Sequence, residues 1–330
     1  MSGSASPCLV AIVGPTGSGK SALAVALARR LGGEVVSCDS TAVYRGFDIG
    51  TDKPPRAARC GVPHHLIDVA APTERYSAAR YVREAAAAIR GITRAGRIPV
   101  LVGGSGLYYR ALTRGLFPGP GRDDALRARL ESLAARRGDA WLHRMVSRFD
   151  PGSAARIQPR DRKRVIRALE VYFLTGRPLT AHFAATRPPL AEYEIVPFAL
   201  RLSAEDTGRR VARRVERQFE SGLLDEVRRA LAAGVPEDAH PFSGLVYRQV
   251  LEHLRGVRDE TATRALIVQE NRRYARRQLI WFRKEPNLRW LASPGEHPDA
   301  LAEILAALGE LPAWRDLRVE PLPPRTELAS

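Results

Sequence analysis

Residues 8–21 read CLVAIVGPTGSGKS and predict a strand, a glycine-rich loop and the start of a helix. The run CLVAIV has the continuous apolar character of a buried parallel strand, and SALAVALARRL (21–31) is rich in helix-forming residues. Gly14, Gly19, Lys20 and Ser21 match the pattern G-x-x-x-x-G-K-[ST] in that setting. Because a chance match between a strand and a helix is rare, the stretch predicts a site for a di- or triphosphate.

The chemistry of this loop suits phosphate oxygens. Glycines let backbone N–H groups converge on an anion, and the helix N-terminus and the Lys20 ammonium add positive charge. Ser21 offers an oxygen to Mg²⁺, so Mg²⁺ is the expected cofactor and Ser21 its protein ligand. The predicted diphosphate-binding residues of the loop are Gly14, Pro15, Thr16, Gly17, Ser18, Gly19, Lys20 and Ser21. The pattern leaves open whether the phosphates belong to a nucleotide or to another diphosphate ester.

Two further apolar stretches predict the fold class. EVVSCDS (34–40) and IPVLVGGS (98–105) are typical of buried strands, and the helical stretch SAARYVREAAAAIRGITRAG (77–96) lies between them. Strands that are separated by helices form parallel sheets with helices packed on them. The sequence therefore predicts an α/β fold of the P-loop NTPase type.

The pattern changes after GLFPGPGRDD (115–124). Residues 123–183 predict consecutive helices and no strand, and EIVPFALRLS (194–203) then resembles a strand again. The simplest interpretation is a core of residues 1–117 and 191–330, interrupted by an all-helical insertion of residues 118–190. The last 45 or so residues are rich in proline and acidic side chains and are expected to be peripheral.

Charge and composition restrict the class of protein. The chain carries +16, yet residues 285–330 hold eight acidic and four basic side chains, so residues 1–284 carry +20. Such an excess favours a polyanionic partner, although a solvated arginine-rich surface is the alternative. Three cysteines without paired spacing suit a reducing compartment. We expect a cytoplasmic protein without a membrane partner, since no apolar run approaches about 20 residues and no signal peptide is present.

Two side chains are expected beside the phosphate loop. Asp39 ends the second predicted strand and Ser105 follows the third, and the carboxyl ends of parallel strands meet at one edge of a sheet. Asp39 could accept a proton there, or it could simply cap a turn or a helix. Near the C-terminus, NRRYARRQLIWFRK (271–284) predicts a basic helix with Tyr274, Gln278 and Trp281 on one side. Those aromatic side chains are more typical of core contacts than of base stacking.

The order and spacing of several stretches give the chain a strong resemblance to the tRNA dimethylallyltransferases, also called tRNA isopentenyltransferases. The resemblance runs from Leu9 to about Trp290. The stretches that carry it are GPTGSGKS, CDSTAVYRGFDIGTDKP, PHHLIDV, YSAARY, AGRIPVLVGGSGLYYRAL, RVIRALEVYFLTGRPLT, SGLLDEV and RRYARRQLIWFR.

This resemblance implies transfer of a dimethylallyl group from dimethylallyl diphosphate to N6 of the adenosine 3′ to the anticodon, in tRNAs that read codons beginning with U. The phosphate loop would hold the leaving group, with Mg²⁺ near Ser21. The resemblance implies that Asp39 acts as the base at N6 and that Ser105 donates a hydroxyl near the bond that breaks. It also places Arg210 and Arg214 near the diphosphate.

The same resemblance implies contacts to the anticodon stem-loop of tRNA. The target base must be flipped into a pocket to be reached. The residues implied are Asp39, Ser40, Thr41, Ala42, Ser105, Arg127, Lys163, Arg164, Val165, Ile166 and Arg167. The helical insertion would then clasp the RNA, and the enzyme is expected to be a monomer. The chain departs from the family pattern at Val246 and Ala204.

Three other functions share parts of this pattern. A P-loop nucleotide kinase would use the same loop and sheet, but it has little need for +20 in the first 284 residues. An adenylate isopentenyltransferase would prenylate free AMP, but the helical insertion and the basic C-terminal helix argue against it. An RNA-binding module with a vestigial loop is the third alternative.

Overall fold

A single parallel sheet organises the part of the chain that the computed structural model describes, which is residues 6–117, 119–311 and 314. Its strands are β1 (Cys8–Val13), β2 (Glu34–Ser37), β3 (His64–His65), β4 (Pro99–Gly103), β5 (Glu194–Ala199) and β6 (Arg289–Trp290). Their order across the sheet is β3-β2-β4-β1-β5-β6. In register, Val13 lies opposite Gly103 on one side and Ala199 on the other, so β1, β4 and β5 end at the same edge.

Helices connect and cover these strands. Their bounds are α1 (Lys20–Arg30), α2 (Ala78–Arg94), α3 (Gly106–Arg114), α4 (Asp124–Arg137), α5 (Asp139–Phe149), α6 (Pro151–Ala154), α7 (Arg162–Thr175), α8 (Leu179–Ala184), α9 (Ala204–Glu220), α10 (Leu223–Ala232), α11 (Leu245–Leu254), α12 (Glu260–Phe282) and α13 (Pro298–Gly309). Within the described residues, no helix combines the length and the apolar character needed to cross a membrane.

The central strand shows why its sequence is continuously apolar. Leu9, Ala11 and Val13 contribute to one hydrophobic cluster, whereas Val10 and Ile12 contribute to another. Successive side chains of a strand point to opposite faces, so β1 is covered on both sides. Helices therefore flank both faces of the sheet, and the loops at its carboxyl edge are left to form a site.

The chain divides into two compact units. One unit contains the sheet and runs to Thr113 and again from Leu190, and the other is helical and spans Arg114–Pro189. The helical unit contains α4–α8 and has its own hydrophobic core. At its centre the fully buried carboxylate of Glu170 accepts two hydrogen bonds from Arg127, at 2.8 and 2.9 Å, and one from Arg167 at 2.6 Å.

The C-terminal region differs from the expectation of a peripheral tail. Ala300, Ile304 and Leu308 of α13 are buried in the hydrophobic cluster that also contains Leu23 and Leu27 of α1. Their spacing of four residues places all three on one face of a helix. The proline-rich, acidic composition of the whole segment concealed this short apolar stripe, and the prediction was wrong for residues 289–309.

Candidate functional site

A cavity of about 1130 Å³ opens where β1, β2 and β4 end. The sheet unit supplies all the residues that line it. Its lining includes the phosphate loop (Thr16, Gly17, Gly19, Lys20, Ser21), the segment after β2 (Asp39, Ser40, Thr41, Ala42), the segment 50–54, Arg210 and Arg214 of α9, and Tyr274 and Gln278 of α12. A cavity of this size at the carboxyl edge of a parallel sheet is typical of a ligand site.

The phosphate loop is held in its binding conformation by glycines and by internal hydrogen bonds. Gly17 and Gly19 have left-handed backbone angles, φ 78° and 84°, which favour glycine. The Ser18 amide donates to Pro15 O at 3.3 Å. The Ser18 hydroxyl is buried and has no hydrogen-bond partner among the described residues. A buried hydroxyl of this kind is a donor available to a ligand that enters the loop.

The Lys20 ammonium lies partly buried at the base of this loop. Its Nζ donates to Pro15 O at 3.2 Å. Burial lowers the pKa of Lys20 from 10.5 to about 8, and the carboxylate of Asp39 acts in the opposite direction. A buried cation is costly unless an anion compensates it. The loop is therefore electrostatically prepared for an anionic ligand.

Asp39 and Ser105 lie on neighbouring segments. Asp39 Oδ1 accepts hydrogen bonds from the Thr41 amide at 2.8 Å and from the Thr41 hydroxyl at 2.7 Å. The Ser105 hydroxyl accepts from the Ser40 amide at 2.9 Å and donates to the Ser40 hydroxyl at 3.2 Å. Asp39 thus stabilises a turn, as its alternative role predicts, and it also lines the cavity. The turn fixes the direction of the carboxylate.

Both predicted arginines of α9 contact the phosphate loop. Arg214 donates to the hydroxyl of Thr16 and forms an ion pair with Asp52 at 3.4 Å. Arg210 donates to Gly17 O at 3.2 Å and to the carboxylate of Glu296 at 2.9 Å. The two side chains lie one helical turn apart. Each is therefore next to the loop and bonded to a carboxylate.

Gln278 joins α12 to two loops of the site, which the sequence did not predict. Its side-chain oxygen accepts from the Thr16 amide at 2.9 Å, and its side-chain nitrogen donates to Gly104 O at 2.9 Å. The polar Gln278 on the same side of the helix as Tyr274 and Trp281 was the one indication in the sequence. The pattern of a helix does not predict which loops such a side chain contacts. Tyr274 lines the cavity.

A second unpredicted element is the segment that carries Asp52. The buried carboxylate of Glu226 accepts hydrogen bonds from the amides of Asp48, Ile49 and Gly50 at 2.8, 2.9 and 3.3 Å. The Tyr247 hydroxyl donates to the same carboxylate at 2.5 Å. A carboxylate that accepts several backbone bonds rigidifies a loop. This network holds the segment that leads to Asp52.

The two departures from the family pattern are accommodated locally. Val246 lies in the first turn of α11 and is buried at the cavity. Its backbone is helical, so a side chain causes no strain there. Ala204 is the exposed first residue of α9.

The RNA-binding residues predicted in the helical unit fall into three groups. Lys163 and Arg164 are exposed. Arg127 and Arg167 are bonded to buried Glu170. The two remaining side chains, Val165 and Ile166, are 1% and 2% exposed in the hydrophobic core of the unit. Helical periodicity turns these two side chains inward, and contact of these residues with tRNA stays a prediction. Ala42, predicted in the same role, is also buried.

The oxygen ligands in the cavity suit Mg²⁺. Among the described residues no group of three or more His, Cys, Asp or Glu side chains could hold a metal alone. Ser21 at the start of α1 and the carboxylates of Asp39 and Asp52 line the cavity. Mg²⁺ takes few protein oxygens and completes its shell with water and substrate phosphates, so this set fits it.

Comparisons with known proteins agree over most of the chain. A family model described as IPP transferase matches residues 42–285, and one described as Isopentenyl transferase matches residues 7–62. A protein of Solibacter usitatus named tRNA dimethylallyltransferase is 46% identical over 306 residues, which cover 92% of this chain and 99% of the relative. One of Geobacter metallireducens with the same name is 44% identical over 297 residues, covering 90% and 96%.

Solved structures agree with this result. The full-length tRNA isopentenylpyrophosphate transferase of Bacillus halodurans is 38% identical with a TM-score of 0.68, covering 92% of this chain and 95% of its own. A eukaryotic dimethylallyltransferase, crystallised in snapshots of its action on tRNA, is 26% identical with a TM-score of 0.74, covering 92% and 78%. The predicted fold class is confirmed by the parallel sheet and by these neighbours.

Proposed function

This chain belongs to the family of tRNA dimethylallyltransferases, and we propose that its cavity transfers the dimethylallyl group of dimethylallyl diphosphate to N6 of the adenosine 3′ to the anticodon. The tRNA substrates are those that read codons beginning with U. One observation carries this proposal at the level of the site: the partly buried Lys20 ammonium and the Asp39 carboxylate line one cavity and interact electrostatically. A diphosphate bound at Lys20 would therefore present its prenyl tail near a base.

The phosphate loop binds the donor through its diphosphate. Lys20, the buried Ser18 hydroxyl and the amides of the loop are donors for phosphate oxygens. Arg214 lies at the same loop and can add a further charge-assisted hydrogen bond. When bound near Ser21, Mg²⁺ supplies positive charge to the diphosphate.

The reaction forms one bond and breaks one. N6 of adenine bonds to C1 of the dimethylallyl group, and the C1–O bond breaks with its electron pair on pyrophosphate. Negative charge grows on the leaving group, so fixed donors of the loop stabilise the transition state more than the ground state. Asp39 accepts the proton of N6, and the Thr41 bonds to Oδ1 keep the carboxylate oriented.

The helical unit is the proposed clamp on the anticodon stem-loop. Lys163 and Arg164 are exposed cations at the start of α7 and suit phosphate contacts. Arg127 and Arg167 are proposed to support this surface from below. Each uses part of its guanidinium to bind Glu170. We also infer that the enzyme acts as a monomer, because a single chain supplies both the donor site and the proposed base. We infer a cytoplasmic location, as expected from the cysteines of the sequence.

A direct transfer assay tests the reaction against its alternatives. Radiolabelled dimethylallyl diphosphate is incubated with tRNA, with AMP and with ATP in the presence of Mg²⁺. Label in tRNA, at the adenosine 3′ to the anticodon, is the expected result. Label in AMP or ATP would indicate an adenylate isopentenyltransferase, and phosphate transfer from ATP would indicate a kinase.

Asp39→Asn tests the base separately from the turn. Asparagine keeps a side-chain oxygen for the Thr41 amide but cannot accept the proton, so we expect the turnover number to fall roughly 10²- to 10⁴-fold. The affinity for tRNA, measured by filter binding, is expected to stay within about twofold, and the donor affinity, measured by calorimetry, is expected not to weaken, because a carboxylate charge is lost beside Lys20. Asp238→Asn, an exposed change of equal charge, is the control. Undiminished turnover of the Asp39 variant would remove its assigned role.

A further inference from the structure

The segment between β6 and α13 lies directly on the phosphate loop. The Gly295 amide donates to Ser18 O at 2.9 Å. A Cβ on Gly295 would stand 2.5 Å from Gly19 O, and a Cβ on Gly19 would stand 2.3 Å from a carboxylate oxygen of Glu296. Gly295 is therefore required for this close approach, because a side chain there would meet the backbone of Gly19, whereas the Glu296 carboxylate is a flexible end that could move. The C-terminal segment is part of the cavity wall, since Glu296 lines the cavity.

Glu296 forms an ion pair with the guanidinium of Arg210, which the diphosphate of the donor would also bind. Both carboxylate oxygens accept from Nη1 of Arg210 at 2.9 Å, and the same nitrogen donates to Gly17 O at 3.2 Å. The side chains of Arg210 and Glu296 are 34% and 50% exposed. Ion pairs with this exposure are weak and exchange readily. The pair is thus able to open when a stronger anion arrives.

We propose that Glu296 competes with the diphosphate of the donor, and with the pyrophosphate product, for Arg210. This inference rests on the proposed function, in which Arg210 is a diphosphate ligand. The Glu296 carboxylate and a diphosphate oxygen would accept the same hydrogen bonds from Nη1 of Arg210. The two anions also repel each other beside Gly19. Glu296 therefore weakens donor binding and promotes release of pyrophosphate. The Gly295 contacts hold the segment at the loop, so the Glu296 carboxylate is near enough to re-form the pair once the product leaves.

Glu296→Gln tests this competition with almost no change of shape. We expect the donor KM, and the dissociation constant of inorganic pyrophosphate measured by calorimetry, to fall about 3- to 10-fold at low ionic strength. The effect shrinks as salt is added, and the KM for tRNA stays unchanged. Glu310→Gln, an exposed change of equal charge at the C-terminal end of α13, leaves pyrophosphate affinity as it is. An unchanged or weakened pyrophosphate affinity in Glu296→Gln overturns the proposal.

A double-mutant cycle assigns the effect to Arg210. In an Arg210→Ala background, Glu296→Gln is expected to change pyrophosphate affinity less than twofold, because the guanidinium for which the anions compete is absent. A full effect in that background would mean that Glu296 acts by charge alone, and it would overturn the competition. If Arg210→Ala by itself leaves donor affinity unchanged, the assignment of Arg210 fails instead. The thermal midpoint of each variant shows whether the segment remains folded.

Discussion

Raising the pH through 8 tests whether the partly buried ammonium of Lys20 binds the donor. Burial lowers its pKa from 10.5 to about 8 in the ligand-free protein. The protonated fraction then falls from about nine-tenths at pH 7 to about one-tenth at pH 9. If only the protonated form binds the diphosphate, the donor KM rises about tenfold over that interval. The direction follows from the charge, because deprotonation removes the cation that pairs with the anionic donor.

Two measurements check this expectation. The first is the donor KM between about pH 7 and pH 9.5, with the KM for tRNA as the internal comparison. The second is calorimetry of donor binding at pH 8 in two buffers of different ionisation enthalpy. Bound diphosphate raises the pKa of the ammonium. The complex of the wild-type enzyme should therefore take up about half a proton. Lys20→Met should take up none.

The outcome that refutes the reasoning is specific. A donor KM that is constant to about pH 9.5, together with unimpaired donor affinity in Lys20→Met, would show that the loop does not bind the donor through this ammonium. A constant KM with impaired affinity in the variant would show that Lys20 stays charged. In that case the negative charge of Asp39, which favours the charged form of Lys20, would outweigh the effect of burial on the Lys20 pKa.

Two further predictions concern the supports of the site. Gln278→Leu leaves a buried amide and a buried carbonyl without partners, so we expect a loss of about 1–3 kcal/mol in the free energy of unfolding and a higher donor KM, checked by urea denaturation and steady-state kinetics. In the helical unit, burial alone would raise the pKa of Glu170, but hydrogen bonds from Arg127 and other donors outweigh it and lower the pKa from 4.5 to about 2. Its charged form thus contributes about 3 kcal/mol above pH 4.5, lost as the pH falls toward 2. We expect Glu170→Gln to destabilise the unit by that order at pH 7 but little near pH 2, measured by denaturation at both pH values; equal losses at both would contradict the ion-pair explanation.

The parts of the site that the sequence predicted are encoded by neighbouring residues. The phosphate loop follows its strand directly, and Asp39 follows a strand of the same parallel sheet. Because the carboxyl ends of parallel strands meet at one edge of a sheet, both lie in one cavity. Gln278 and Glu296 belong to the same cavity but lie more than 250 residues from the loop they contact. Only the docking of α12 and of the segment before α13 decides those contacts. Neither a hydrophobic pattern nor a local motif contains that information.

The helical unit shows a different limit of sequence reasoning. Resemblance assigned five consecutive residues, 163–167, to RNA contact as one block. A helix presents successive residues about 100° apart, so the side chains of five residues in a row cannot all face one partner. Val165 and Ile166 face the core, and Arg167 reaches Glu170. The 3.6-residue period, applied to the block, would have selected the exposed Lys163 and Arg164.

Three cations beside the phosphate loop, in the cavity of the sheet unit, have a carboxylate nearby before any substrate binds. Arg210 and Arg214 form ion pairs with Glu296 and Asp52, and the charge of the Asp39 carboxylate acts on Lys20. Concentrating three cations at one loop without counter-charges would oppose folding by mutual repulsion and desolvation. Donor affinity is then a difference: the diphosphate gains these cations only to the extent that it displaces or outweighs their carboxylates. On the proposed function, we expect a site built this way to bind pyrophosphate weakly enough to release it, with Asp39 left as the proposed base.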